Sequence, residues 1–125
     1  MATKIVVSNL PKTWILDLDG TILKHNGYKL DGHDTLLPEA LPLLEQISER
    51  DMVIIITSRT EEYSALTEKF LDDNHIKYHY IIYNAPYGER ILINDKKPSG
   101  LNMSIALSTL RDNPTKINWV VDNNL

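Results

Sequence analysis

The residues best suited to chemistry gather in one short run, Asp17-Leu18-Asp19-Gly20-Thr21. Two carboxylates two positions apart face the same way when the backbone stays extended. Holding like charges together is costly unless a cation sits between them. A hard divalent cation such as Mg²⁺ takes oxygen ligands and keeps several waters. Gly20 allows a left-handed turn or a close backbone approach to a ligand, and the Thr21 hydroxyl can cap or orient that turn. The same run also reads as a plain turn at a strand end. Two other strand ends weigh against that reading. Thr57 and Ser58 follow the apolar run from Asp51 to Ile56, and Asp95 follows Asn94 after another apolar run. Carboxylate, hydroxyl and carboxylate at three strand ends suit a phosphate bound beside a metal.

The elements that must carry these residues alternate. Thr13-Trp14-Ile15-Leu16-Asp17 reads as a short strand, and Asp51-Met52-Val53-Ile54-Ile55-Ile56-Thr57 as a strand buried on both faces. His79 to Tyr83, Arg90 to Asn94 and Ile117 to Val121 read as further strands, and Lys4 to Ser8 as an extra one before the Pro11 break. Helical spacing is expected over Leu37 to Arg50, with a regular start later than Pro38 because of Pro42. It is also expected over Glu61 to Asn74 with Thr60 as N-cap, and over Leu101 to Leu110. Strands alternating with helices predict a three-layer, Rossmann-like α/β/α fold on a mostly parallel central sheet. Ligands in such folds sit outside the carboxyl ends of the strands, where the polar residues fall.

At 125 residues the chain fits one domain spanning 1–125. It is 42% hydrophobic and 24% charged, which supplies one core. The absence of cysteine excludes disulfides, thiolate metal sites and Cys nucleophiles. No apolar run is long enough to cross a bilayer, and the start lacks a signal-peptide core, so a cytoplasmic protein without a membrane partner is expected. A net charge of −4, with no Lys/Arg run longer than two, predicts no nucleic-acid partner.

Asp17-Leu18-Asp19-Gly20-Thr21 resembles the first motif of the haloacid dehalogenase superfamily of phosphohydrolases. Thr57 after Val53-Ile54-Ile55-Ile56 resembles the second motif, and Asn94-Asp95 the acidic fourth, with Asn94 in place of the commoner first acid. The resemblance spans roughly residues 13 to 121. It implies a phosphatase that hydrolyses a phosphomonoester through an aspartyl-phosphate. Asp17 would be the nucleophile, and Asp19 the general acid and then base. Mg²⁺ would bind the Asp17 carboxylate, the Asp19 carbonyl and Asp95. Thr57, Ser58, the Gly20 turn and Lys96 would hold the phosphoryl group. The third-motif lysine is missing from Asn84 to Glu89, which leaves Lys96 and Lys97, with Lys97-Pro98 favoured.

The gap from Thr21 to Leu37 is short, and Asn26-Gly27 within it is a hairpin signal, so a small β-hairpin flap and no cap domain are expected. An open site calls for a large substrate or for cover from a neighbouring subunit. The resemblance favours a small phosphorylated metabolite such as a sugar phosphate, and a homo-oligomer. Two rival readings are a phospho-accepting, Mg²⁺-binding regulatory module without turnover, and a catalytically weak binding subunit. Arg59 is either an anion ligand or an exposed ion-pair partner of Glu61 or Glu62. His33-Asp34 reads as a loop cap or a substrate-facing pair, and His25 and Tyr28 as flap side chains. His75 and His79 are four apart but straddle a helix end, which argues against zinc.

Overall fold

A computed structural model describes residues 3–125. The chain has an α/β fold of Rossmann-like character, built from parallel sheets with helices. Strands β1 (Thr3–Val7), β2 (Thr13–Leu16), β3 (Met52–Ile56), β4 (Tyr80–Ile82) and β5 (Ile117–Val121) alternate with helices α1 (Gly27–Leu30), α2 (Leu41–Glu45) and α3 (Ser64–Asp73). The strands form two parallel sheets, one of order β2-β3-β4 and one of order β1-β5. In the first, Trp14 lies opposite Val53 and Leu16 opposite Ile55, while Ile54 lies opposite Tyr80. In the second, Thr3 pairs with Ile117 and Val7 with Val121.

The period-two geometry of a strand separates the faces of the central sheet. Val53 and Ile55 point into the core with Leu16, Leu18, Ile22, Leu23, Leu71 and Ile76. Met52, Ile15, Tyr80 and Ile82 lie exposed. The expectation that β3 is buried on both faces is therefore corrected: one face is fully buried, and the other carries exposed Met52 and half-buried Ile54 and Ile56.

Helix α3 lays Thr67 and Leu71, one turn apart, on the core. It starts later than expected, because Glu61–Tyr63 form a 3₁₀ turn first. The Thr60 side chain caps nothing; its hydroxyl donates to Glu62 at 2.9 Å instead. His75, at φ 56°, ends the helix in the left-handed region, and Ile76 N–H donates back to the Leu71 carbonyl. His79 has separate work, accepting from Val53 N–H at 2.9 Å.

Four expected elements take another form. The Leu37–Arg50 helix shortens to a 3₁₀ turn at Pro38–Ala40 and then α2, whose first turn takes Pro42. The flap closes antiparallel at its base, where Leu23 bridges Leu36, but its tip is α1 and not a two-residue turn. A type I′ turn needs positive φ at both Asn26 and Gly27, and only Asn26 has it, at 55°. Arg90–Asn94 and Leu101–Leu110 are irregular, with Ile91, Ile93, Ile105 and Leu107 exposed. Among the described residues Arg90–Asn94 meets no partner strand, and Asn102, Ser104 and Ser108 are weak helix formers. Among the described residues, no helix is long and apolar enough to cross a membrane.

Candidate functional site

Parallel pairing brings the ends of β2 and β3 to one edge, so Asp17, Asp19, Thr57 and Arg59 emerge side by side. Past β2 the chain folds into a tight turn. The buried Leu18 carbonyl accepts from the N–H groups of Thr21, Ile22 and Leu23. Gly20 has φ 85°, a conformation costly for other residues. Its carbonyl accepts from Asp112 N–H at 2.8 Å, and a Cβ there would stand 3.1 Å from the Arg111 side chain. Gly20 thus serves a turn and a close approach of protein backbone.

Asp17 is the open carboxylate of the group, with its side chain 42% exposed. The Thr21 hydroxyl donates to Oδ2 at 3.2 Å, and the Arg90 guanidinium donates to Oδ1 at 2.9 Å. Asp19 is held differently, with its side chain 16% exposed. Arg59 Nε donates to its Oδ2 at 3.0 Å and an Arg59 terminal nitrogen to its Oδ1 at 2.8 Å.

Arg59 is neither an anion ligand on the surface nor a partner of Glu61 or Glu62. It is 3% exposed and bonds Asp34 through two further donors, at 2.7 and 3.0 Å, and Thr67 at 2.9 Å. The Tyr28 ring covers its flat face at 3.9 Å from Cζ to the ring centre. Burial on its own would lower the Arg59 pKa, but the hydrogen bonds it donates to Asp19 and Asp34 outweigh it and raise the value, so the charge is permanent. Burial likewise raises the Tyr28 phenol above its ordinary value.

Thr57 is buried, and its hydroxyl oxygen accepts from Arg59 N–H at 3.1 Å, an orienting contact within the loop. The Thr57 carbonyl takes Ala85 N–H and the Arg59 carbonyl takes Asn84 N–H, so the chain after β4 clasps this loop. Ser58 is half-exposed beside it.

The remaining expected residues lie elsewhere. Asp95 and Lys96 are exposed and Lys97 half-exposed, all within the irregular stretch after β4. Among the described residues neither lysine has an ion-pair partner. Nor do any three acidic or histidine side chains there stand close enough to hold a metal ion. Among the described residues Asp17, Asp19 and Asp95 thus do not converge as one metal-binding group. Among the described residues, the strand expected to deliver Asp95 has no partner to fix its place. Arg90 escaped the reading by spacing, and Asp34, expected as a loop cap or substrate-facing residue, is instead a buried partner of Arg59. Arg90 sits 73 positions from Asp17 and Asp34 sits 25 from Arg59, distances at which no local signal survives.

No protein-family model matches the chain. No curated protein matches it either. Solved structures do. Chains of the "Structure of Pnkp1/Rnl/Hen1 complex" and the "Structure of the Pnkp1/Rnl/Hen1 RNA repair complex" are similar at 28% identity, with TM-scores of 0.47 and 0.48. The matches cover 68% and 67% of this chain but only 32% and 29% of those chains. The expectation of no nucleic-acid partner is withdrawn: the matched chains come from structures of an RNA repair complex. Net charge, on which that expectation rested, averages over the surface and is blind to a local site.

Proposed function

We propose that the chain is a phosphoric monoester hydrolase of the haloacid dehalogenase type, with Asp17 as its nucleophile. One observation supports this most: a half-open carboxylate at the carboxyl end of a parallel strand, with a guanidinium 2.9 Å away. An Asp17 oxygen attacks phosphorus while the bond from phosphorus to the leaving oxygen breaks, which gives an aspartyl-phosphate. Asp19, held by Arg59 beside it, protonates the leaving oxygen. Water then bonds the phosphorus as the Asp17 O–P bond breaks, loses its proton to Asp19, and leaves inorganic phosphate and the free Asp17 carboxylate. Arg90 offsets negative charge where anion meets anion. Among the described residues no separate domain covers the site, which suits a sugar phosphate or a bulkier phosphomonoester.

The Mg²⁺ that the family resemblance calls for does not fit the described residues as they stand. The Asp17 carboxylate and the Asp19 carbonyl are two oxygen donors. The Asp19 carboxylate is engaged by Arg59, and no third acid joins the pair.

The test is hydrolysis of p-nitrophenyl phosphate, a sugar phosphate and a terminally phosphorylated RNA oligonucleotide, each with Mg²⁺ and with chelator. Turnover is expected, and Asp17→Asn should cut kcat at least about a hundredfold. Wild-type turnover in that variant would remove Asp17 from the role. The engagement of Asp19 by Arg59 favours one second reading, a phospho-accepting module without turnover. Acid-quenched mass spectrometry separates the two, since only the module keeps a stable phosphoryl group on Asp17.

A further inference from the structure

On the hydrolase reading above, we propose that Asp34 is a positioning residue for Asp19, acting through Arg59. A guanidinium offers five N–H donors in a rigid plane. In Arg59 all three nitrogens are engaged, by Asp19, Asp34 and Thr67. The Asp34 and Arg59 side chains are 0% and 1% exposed, and Asp19 is the member of the cluster that reaches solvent. Two carboxylates on one planar fork fix each other's orientation, so the outer one is aimed by the inner one.

The inner one is itself anchored. Asp34 closes the flap, next to the Leu23–Leu36 bridge and the bond from Lys24 N–H to the Thr35 carbonyl at 2.9 Å. Tyr28, from the same flap, lies on the guanidinium face. Without the Asp34 charge, Arg59 keeps a buried positive charge with one counter-ion in place of two, and its freed N–H groups must turn toward other acceptors. Asp19 turns with it. Asp34 touches no reacting atom, so its effect is confined to the proton that Asp19 delivers. A weakly basic leaving group departs without that proton, whereas an alkoxide does not.

The full-length chain carrying Asp34→Asn should therefore lose kcat unequally. On an alkyl phosphomonoester such as a sugar phosphate, a fall of about a hundredfold is expected, with KM changed less than about twofold. On p-nitrophenyl phosphate the fall should be at least about ten times smaller. Equal losses on both esters, or none on either, overturn the role, because a merely structural residue does not distinguish leaving groups. If Asp34→Asn melts below the assay temperature, Asp34→Glu carries the test. It keeps the charge while displacing the fork, and the same inequality between the two esters is expected. Asp17-dependent turnover with equal losses removes the role of Asp34 alone. A wild type that hydrolyses neither ester removes the hydrolase reading and this role with it.

Discussion

Arg90 and Arg59 carry the same charge and meet adjacent acids, yet their surroundings give them different consequences. Arg90 and Asp17 are both well exposed, so solvent screens the pair and it adds little to stability. Its effect belongs to the reaction. Arg90→Ala should lower kcat/KM by more than about tenfold, roughly 1.4 kcal/mol, while the melting temperature stays within about two degrees. Lys96→Ala and Lys97→Ala, assayed alongside, should each lose less than that. The opposite ranking would return the role to the lysines. At this scale the sequence was readable where chemistry is local. Asp17, Asp19, Gly20 and Thr21 share one turn, and their types announce it. Arg59 was visible as a charged residue near Thr57, but its two acids lie 40 and 25 positions away, and only the fold brings them in.

Asp51 shows how one side chain joins elements. It is buried where β3 begins and accepts from Lys12 N–H and Trp14 Nε1 at 2.9 Å each, and from Ser48 N–H at 3.0 Å. Burial pushes its pKa up, but the three N–H donors prevail and hold the carboxyl below its ordinary 3.8. A carboxylate with a depressed folded value stabilises the protein above the unfolded value and loses that contribution as pH falls through the folded one. Stability should therefore decline below about pH 4 in urea melts. Asp51→Asn should cost about 1–3 kcal/mol at neutral pH and flatten that acid limb. An unchanged acid limb in the variant would remove Asp51 as its source. Of the elements themselves, β2 and β3 were legible because their apolar residues are dense and β-branched. The Leu101–Leu110 helix was not, because its apolar residues have no core to meet.

The whole molecule has parallel strands in two groups, where sequence reasoning expected one central sheet. Parallel pairing was legible from the strand–helix alternation. The grouping was not, because strand order depends on partners that no local pattern records. Trp14 on β2 and Trp119 on β5 meet edge to face, with ring centres 5.2 Å apart, so the two groups touch through their tryptophans.

The pairing of β1 with β5 ties the two ends of the chain together across the long irregular stretch between β4 and β5. Covalent continuity in that stretch should thus be dispensable once folding is complete, which limited proteolysis can test. A brief trypsin digest should nick the exposed backbone near Lys96. The two pieces should still elute together in native gel filtration, separating only in denaturant. They should also reassemble when expressed as separate polypeptides, making the chain a natural split protein. Immediate parting of the nicked halves would show that the strand ladder alone cannot keep them joined.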